Sequence, residues 1–274
     1  MSWSELPLRS LVALFGIPLL LICSIAGGVF FFCLVAVLTL LSLWELARLF
    51  APEKGAGPIR IVGSTGAVAL LLDAWLWGGV HWGWLLLAGT GLILVVEVFR
   101  HDPQPVAVIG GTATSWLYPT IPFAHFLWLR GAPGIIGPVP GGGAWLVVAL
   151  WLLVWSSDTA AYFIGVAWGR HRLLPSVSPN KTWEGTVGGL LAAAVTGAVL
   201  AALISELEWG LPKGVFIGLL IGVAAVLGDL AESRLKRGAG VKDVGKLLPG
   251  HGGVLDRFDS TLFSVPMLYY VLMA

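Results

Sequence analysis

Apolar positions along the chain fall into long runs separated by short polar or glycine-proline punctuation. Nine runs approach the roughly 20 residues that a membrane-crossing helix needs: 9–26, 29–48, 60–79, 81–99, 106–129, 144–168, 184–205, 213–233 and 259–274. The third and fourth meet at Gly79 and Val80. The fifth contains Pro119 and Pro122, which predict a kink rather than a break. The pattern predicts an all-α, polytopic integral membrane protein with about nine transmembrane helices. The first run lacks a basic flank beyond Arg9, and a second run follows directly after Gly27 and Gly28. It is therefore expected to be kept as a span, not removed as a signal peptide. The longest interspan segment, Arg234 to Phe258, is too short for a core of its own, so residues 1–274 are expected to form a single membrane domain.

Composition agrees. The chain is 57% hydrophobic and only 11% charged, against roughly 25% charged in soluble domains, and its mean hydropathy is +0.90. A net charge of +1 leaves no global basic field for nucleic acid, which is excluded as a partner. Cys23 and Cys33 lie inside apolar runs and form neither a metal pair nor a disulfide framework. Placement of charge is more informative than its sum. With nine spans and an inner N-terminus, 14 of the 16 Lys and Arg fall on the inner side, leaving Arg130 and Lys213 outside. That bias predicts a cytoplasmic N-terminus and an outer C-terminus. The outer segment Gly131 to Gly143 reads as a spacer.

Six of the 16 cations crowd into SRLKRGAGVKDVGKLLPGHGGVLDRFD, Ser233 to Asp259. A basic juxtamembrane loop commonly serves only to bind anionic headgroups, but this one is flanked by paired acids. Asp229 and Glu232 are three residues apart, and Asp256 and Asp259 repeat the spacing, so each pair shares a helix face. Acids at membrane-helix ends are functional candidates by default. Carboxylates beside cations suit joint binding of Mg²⁺ and a polyphosphate, because Mg²⁺ takes one or two carboxylates and completes its shell with water and phosphate oxygens. Ion pairing of Glu232 with Lys236 or Arg237 is the structural alternative. Gly250, Gly252 and Gly253 around His251 would let backbone N–H groups approach a phosphate.

A second block, WSSDTAAYFIGVAWGRHRLLPSVSPNKTWEG, spans Trp155 to Gly185. Asp158 is expected to be buried about two thirds through the sixth run, with a cation or hydroxyl from the eighth or ninth as its partner. Lys181, with Ser178, Asn180 and Thr182, suits phosphate or nucleotide contact. Thr182 can also cap the seventh run, with Glu184 in its first turn. Arg170 and Arg172 read as span anchors. Glu45, Asp73 and Glu97 lie on separate spans and are left outside the site; Glu45 and Arg48 are spaced for a local pair.

The long loop resembles the signature of phosphatidate cytidylyltransferases, or CDP-diacylglycerol synthases. The resemblance is carried in order by Ser233, Lys236, Arg237, Lys242, Asp243, His251, Gly252, Gly253, Asp256, Arg257 and Asp259, with Ser157 to Gly185 as a less specific second block. It covers about the C-terminal half; the first five spans match only in being hydrophobic. It therefore implies catalytic spans within 144–274 and a mostly scaffolding role for 1–130. It also implies synthesis of CDP-diacylglycerol and pyrophosphate from CTP and phosphatidate, with Mg²⁺ and a second cation. The setting it implies is a homodimer in the inner membrane with its active site at the cytoplasmic face. Asp229 and Asp256 are expected to hold metal, with Asp259 and Glu232 as further ligands or orienters. Lys236, Arg237, Lys242 and Arg257 are expected to hold the phosphates, with Ser233, Asp243, His251, Lys181, Ser178 and Asp158 in supporting contacts. Two rivals fit less well. One is a CTP-dependent kinase of isoprenoid alcohols. The other is a transporter using Glu45, Asp73, Glu97 and Asp158 as a path.

Overall fold

The computed structural model describes residues 6–50, 56–100, 104–131, 142–245 and 252–274. All nine predicted runs fall on helix, and the chain divides into two compact units. The first comprises Met1–Ile135 together with Val241–Arg257, and the second Ile136–Gly240 together with Phe258–Ala274.

In the first unit, α1 (Leu6–Ala26) and α2 (Gly28–Phe50) meet at Gly27 and Gly28, both at positive φ, which only glycine adopts without strain. Arg130 closes the end of α1 by donating to the carbonyls of Ser24 (2.7 Å) and Ile25 (2.9 Å). Arg130 is one of the two cations expected on the outer side. Helix α3 (Ala56–Trp77) turns into α4 (Trp82–Phe99) through residues 78–81. There the buried Asp73 accepts the His81 N–H at 3.1 Å and faces His81 Nδ1 at 2.6 Å.

The fifth run is two helices, α5 (Pro105–Ser115) and α6 (Ile121–Arg130), joined by a π-helical turn over Trp116–Thr120. Pro119 has no N–H to give and crowds the preceding turn. The helix widens in response: Ile121 N–H bonds back to the Trp116 carbonyl, and the Thr120 hydroxyl to Ser115 at 2.8 Å. The predicted kink is thus a π turn. Trp116 anchors the unit's core with Leu43, Ile59, Leu70, Ile93 and Val108, its indole N–H donating to Gly63 at 2.9 Å.

The second unit contains α7 (Gly143–Trp168), a hairpin of β1 (Arg172–Leu174) and β2 (Ser178–Thr182), α8 (Trp183–Leu203), α9 (Leu211–Gly238) and most of α10 (Leu255–Met273). Helices α8 and α9 pack backbone to backbone. A Cβ on Gly197 would strike the Gly214 carbonyl, and one on Gly214 would strike the Gly197 carbonyl. Such small-residue contacts replace the hydrophobic drive that is missing between helices in lipid.

Among the described residues, six helical segments are long and apolar enough to cross a membrane: Gly28–Phe50, Ile59–Trp77, Trp82–Phe99, Gly143–Trp168, Trp183–Leu203 and Leu211–Gly238. The chain is a multi-pass membrane protein. The other three runs miss that measure for separate reasons. The apolar part described in α1 is short, Leu14–Ala26. The π turn divides the fifth run, and α10 begins with Asp256, Arg257 and Asp259.

Candidate active site

The second unit draws its polar groups from a hairpin and from α7, α9 and α10. Strands β1 and β2 pair antiparallel, with Arg172 opposite Thr182 and Leu174 opposite Ser178. The Glu184 carboxylate clamps the base of the hairpin, accepting from the N–H groups of Arg170 (3.1 Å) and His171 (3.2 Å) and meeting His171 Nδ1 at 2.6 Å. The predicted cap is present, with Thr182 Oγ1 accepting the Gly185 N–H at 3.1 Å at the start of α8. Arg172 donates to the Asn180 carbonyl at 3.2 Å, and Arg237 Nε from α9 to the Val177 carbonyl at 3.4 Å. Arg237 therefore braces the hairpin in this conformation.

The clamped hairpin presents Lys181, whose Nζ lies 2.5 Å from Asp229 Oδ2 on α9. Asp229 also accepts the Ser233 hydroxyl at 3.2 Å, one helical turn along. On the same helix Lys236 donates to Glu232 Oε2 at 2.8 Å, the ion pair weighed as an alternative above. Glu232 is wholly buried, and its Oε1 has no hydrogen-bond partner among the described residues. Helix α10 contributes Asp259, whose carboxylate interacts electrostatically with those of Glu232 and Asp229. Asp259 also accepts the Ser260 N–H at 2.6 Å.

Asp158 on α7 finds its predicted hydroxyl in Ser260 of α10, at 3.5 Å, and interacts electrostatically with Asp229, Asp259 and Lys181. Asp158 reaches the surface of α7 as a residue, while its carboxylate is set in among these groups. Four acids, Asp158, Asp229, Glu232 and Asp259, thus gather with two lysines, Lys181 and Lys236. Gly228 makes the gathering possible. A Cβ there would strike the Asp259 carbonyl and lie 3.2 Å from the Ser260 Cα, so only glycine lets α10 seat against α9 beside Asp229.

In the first unit, Asp256 accepts the N–H groups of Gly253 (2.8 Å) and Val244 (3.2 Å). Gly252 holds φ +83°. The Gly253 N–H, a candidate phosphate donor from the sequence, is thus engaged by Asp256 in this conformation. Lys242, Asp243 and Arg257 are exposed, and Ser178 in the second unit is half-buried. His251 and Lys246 lie outside the described residues.

Sequence reasoning missed three contributors: Gly228, the Glu184 clamp, and Glu45, which accepts the Leu255 N–H at 2.9 Å. Only Glu45 carried a signal, as an acid on a membrane helix.

The acid group tests whether the residues present suit a divalent cation. Among the described residues no group of three or more His, Cys, Asp or Glu is arranged to hold a metal ion by itself. Mg²⁺ asks for less, one or two carboxylates with the rest of its shell from water and phosphate. The hard oxygen donors of Asp229, Asp259 and the buried Glu232 suit such an ion.

Comparison with known proteins bears on the chemistry. Residues 7–274 match the family model described as the cytidylyltransferase family. The chain is 32% identical over 281 residues to the phosphatidate cytidylyltransferase of a Synechocystis species, covering 96% of this chain and 94% of that one. It is 48% identical over 124 residues to the phosphatidate cytidylyltransferase of Brucella suis, 45% of each chain. It is 34% identical over 218 residues to the uncharacterized Escherichia coli protein YnbB, covering 74% of this chain and 72% of the relative.

Proposed function

We propose, on the premise that the chain belongs to the cytidylyltransferase family, that it makes CDP-diacylglycerol and pyrophosphate from CTP and phosphatidate. In this reading a phosphate oxygen of phosphatidate attacks the α-phosphorus of CTP, the bond to the bridging α,β-oxygen breaks, and pyrophosphate leaves. The second pKa of a phosphate monoester is near 6, so the nucleophile is already anionic at neutral pH and needs no general base. The barrier is repulsion between two polyanions, and positioned opposite charge lowers it.

The observation that carries this reading is the meeting of Lys181 with Asp229 inside a group of four carboxylates and two lysines. Asp229, Glu232 and Asp259 would hold Mg²⁺, and Asp256 stands in the same set by the resemblance. When bound, that ion neutralises and orients phosphate oxygens. A second cation beside it belongs to the proposal. Lys181, Lys236 and Arg237 balance phosphate charge, as do Lys242 and Arg257. Ser233 orients Asp229, and the clamped hairpin fixes where Lys181 stands.

The proposal further places nine spans in the inner membrane, N-terminus cytoplasmic and C-terminus outside, with the site at the cytoplasmic face of a homodimer. The distribution of Lys and Arg supports that orientation. Against the transporter alternative, Asp73 faces His81, Glu97 pairs with Arg100 and Glu45 accepts the Leu255 N–H. Purified protein given CTP with either phosphatidate or an isoprenoid alcohol tests the reading. Pyrophosphate and a CDP-lipid are expected; CDP and a phosphorylated alcohol would overturn it.

A further inference from the structure

Glu45 is 4% exposed near the end of α2, where the sequence offers it Arg48 one turn on. The structure gives it a distant partner. Its Oε2 accepts the Leu255 N–H at 2.9 Å across 210 positions of chain, and the Val254 N–H reaches the same carboxylate. These N–H groups open α10, and the first N–H groups of a helix have no acceptor within the helix itself. A carboxylate at that point also meets the positive end of the helix dipole. Glu45 therefore caps α10 from another helix.

Two glycines set how closely the carboxylate seats. A Cβ on Gly253 would lie 2.7 Å from Glu45 Cδ and 2.8 Å from Oε1, and a Cβ on Gly245 would strike Oε1. Asp256 holds the same backbone a second time, accepting from Val244 and Gly253. Glu45, Val244, Gly245, Gly253, Leu255 and Asp256 all belong to one compact unit.

We propose that Glu45 is a positioning residue for the cytidylyl-transfer site. It fixes the backbone at Gly245 and at Gly253–Leu255, and so sets Asp256 and the neighbouring Lys242, Asp243 and Arg257. The role rests on the function proposed above in its kinetic consequence alone. The side-chain requirement is narrow. Aspartate is one methylene short of the Leu255 N–H. Glutamine keeps one acceptor but brings an NH₂ donor toward N–H groups that need acceptors.

The test compares Glu45→Gln and Glu45→Ala with the parent in kcat, in KM for CTP and phosphatidate, and in amide hydrogen exchange. A supporting group displaced by about 1 Å can lower the rate roughly 10²-fold. Glu45→Ala is expected to lose kcat on that order and the isosteric Glu45→Gln about tenfold, with both KM values within about threefold. Exchange should rise at residues 241–245 and 252–257 while α3 and α5 keep parental protection. Turnover within about twofold of the parent in both variants would overturn the proposal. So would exchange raised evenly through α2 to α6, which would make Glu45 an ordinary packing residue. A parent protein that makes no CDP-lipid would refute the function, while the exchange pattern would still decide on Glu45.

Discussion

Alanine at position 228 would force α9 and α10 apart where the acids meet. A Cβ there collides with the Asp259 carbonyl oxygen and lies 3.2 Å from both the Asp259 carbonyl carbon and the Ser260 Cα. Carbon-to-oxygen contact relaxes at about 3.3 Å, so the start of α10 must withdraw by roughly 1 Å. Overpacking of this kind costs about 1–3 kcal/mol, and the gain in helix propensity from Gly to Ala, about 1 kcal/mol, offsets part of it. Gly228→Ala should therefore insert and fold. Its turnover should fall about 10²-fold, equivalent to about 2.7 kcal/mol in the barrier, because Asp259 no longer stands where Asp229 and Glu232 need it. The assay is CDP-lipid formation by detergent-purified protein of matched thermal midpoint. Gly238→Ala, at a position on α9 with nothing within 4 Å, is the control and should stay near parental activity. Folded Gly228→Ala with parental turnover would refute the claim that close packing of α9 and α10 builds the site.

Two more outcomes follow from the same geometry. Lys181→Met should lower kcat/KM by about 10²-fold, and combining it with Asp229→Asn should cost little beyond the worse single change, since residues acting as a unit are non-additive. Additive losses in that double-mutant cycle would show the 2.5 Å pair to be incidental. Asp256→Asn should leave an inserted protein whose turnover falls by roughly three orders of magnitude or more, measured as pyrophosphate release; near-parental release would remove Asp256 from the machinery.

What could be read without coordinates was local. The three-residue spacing placed Asp229 and Glu232 on one turn of α9, and the Thr182 cap with Glu184 behind it marked where α8 begins, because both follow from helix geometry within a few residues. The nine apolar runs fell on helix for the same reason. Apart from the hydroxyl that Asp158 finds in Ser260, non-local partners were not legible. Nothing near Glu45 announces a partner 210 residues away, and in a chain with 37 glycines nothing marks Gly228 as the one facing the Asp259 carbonyl. Pro119 signalled a disturbed helix, but its resolution as a π turn depends on which carbonyl the next free N–H reaches. The facing of Asp158 likewise depends on how α7 is turned, which a nearly uniform apolar pattern does not specify.

The central claim is that acids of α9 and α10 hold a divalent ion that lets two polyanions react, and a Mg²⁺ titration of CDP-lipid formation tests it most directly. Rates of the parent and of Asp259→Asn would be measured after chelation, across increasing Mg²⁺. The account predicts no turnover in chelated parent, full recovery with Mg²⁺, and in Asp259→Asn a half-saturating Mg²⁺ concentration raised about tenfold or more. Turnover that survives chelation, or an unshifted Mg²⁺ response in a folded Asp259→Asn protein, would contradict it.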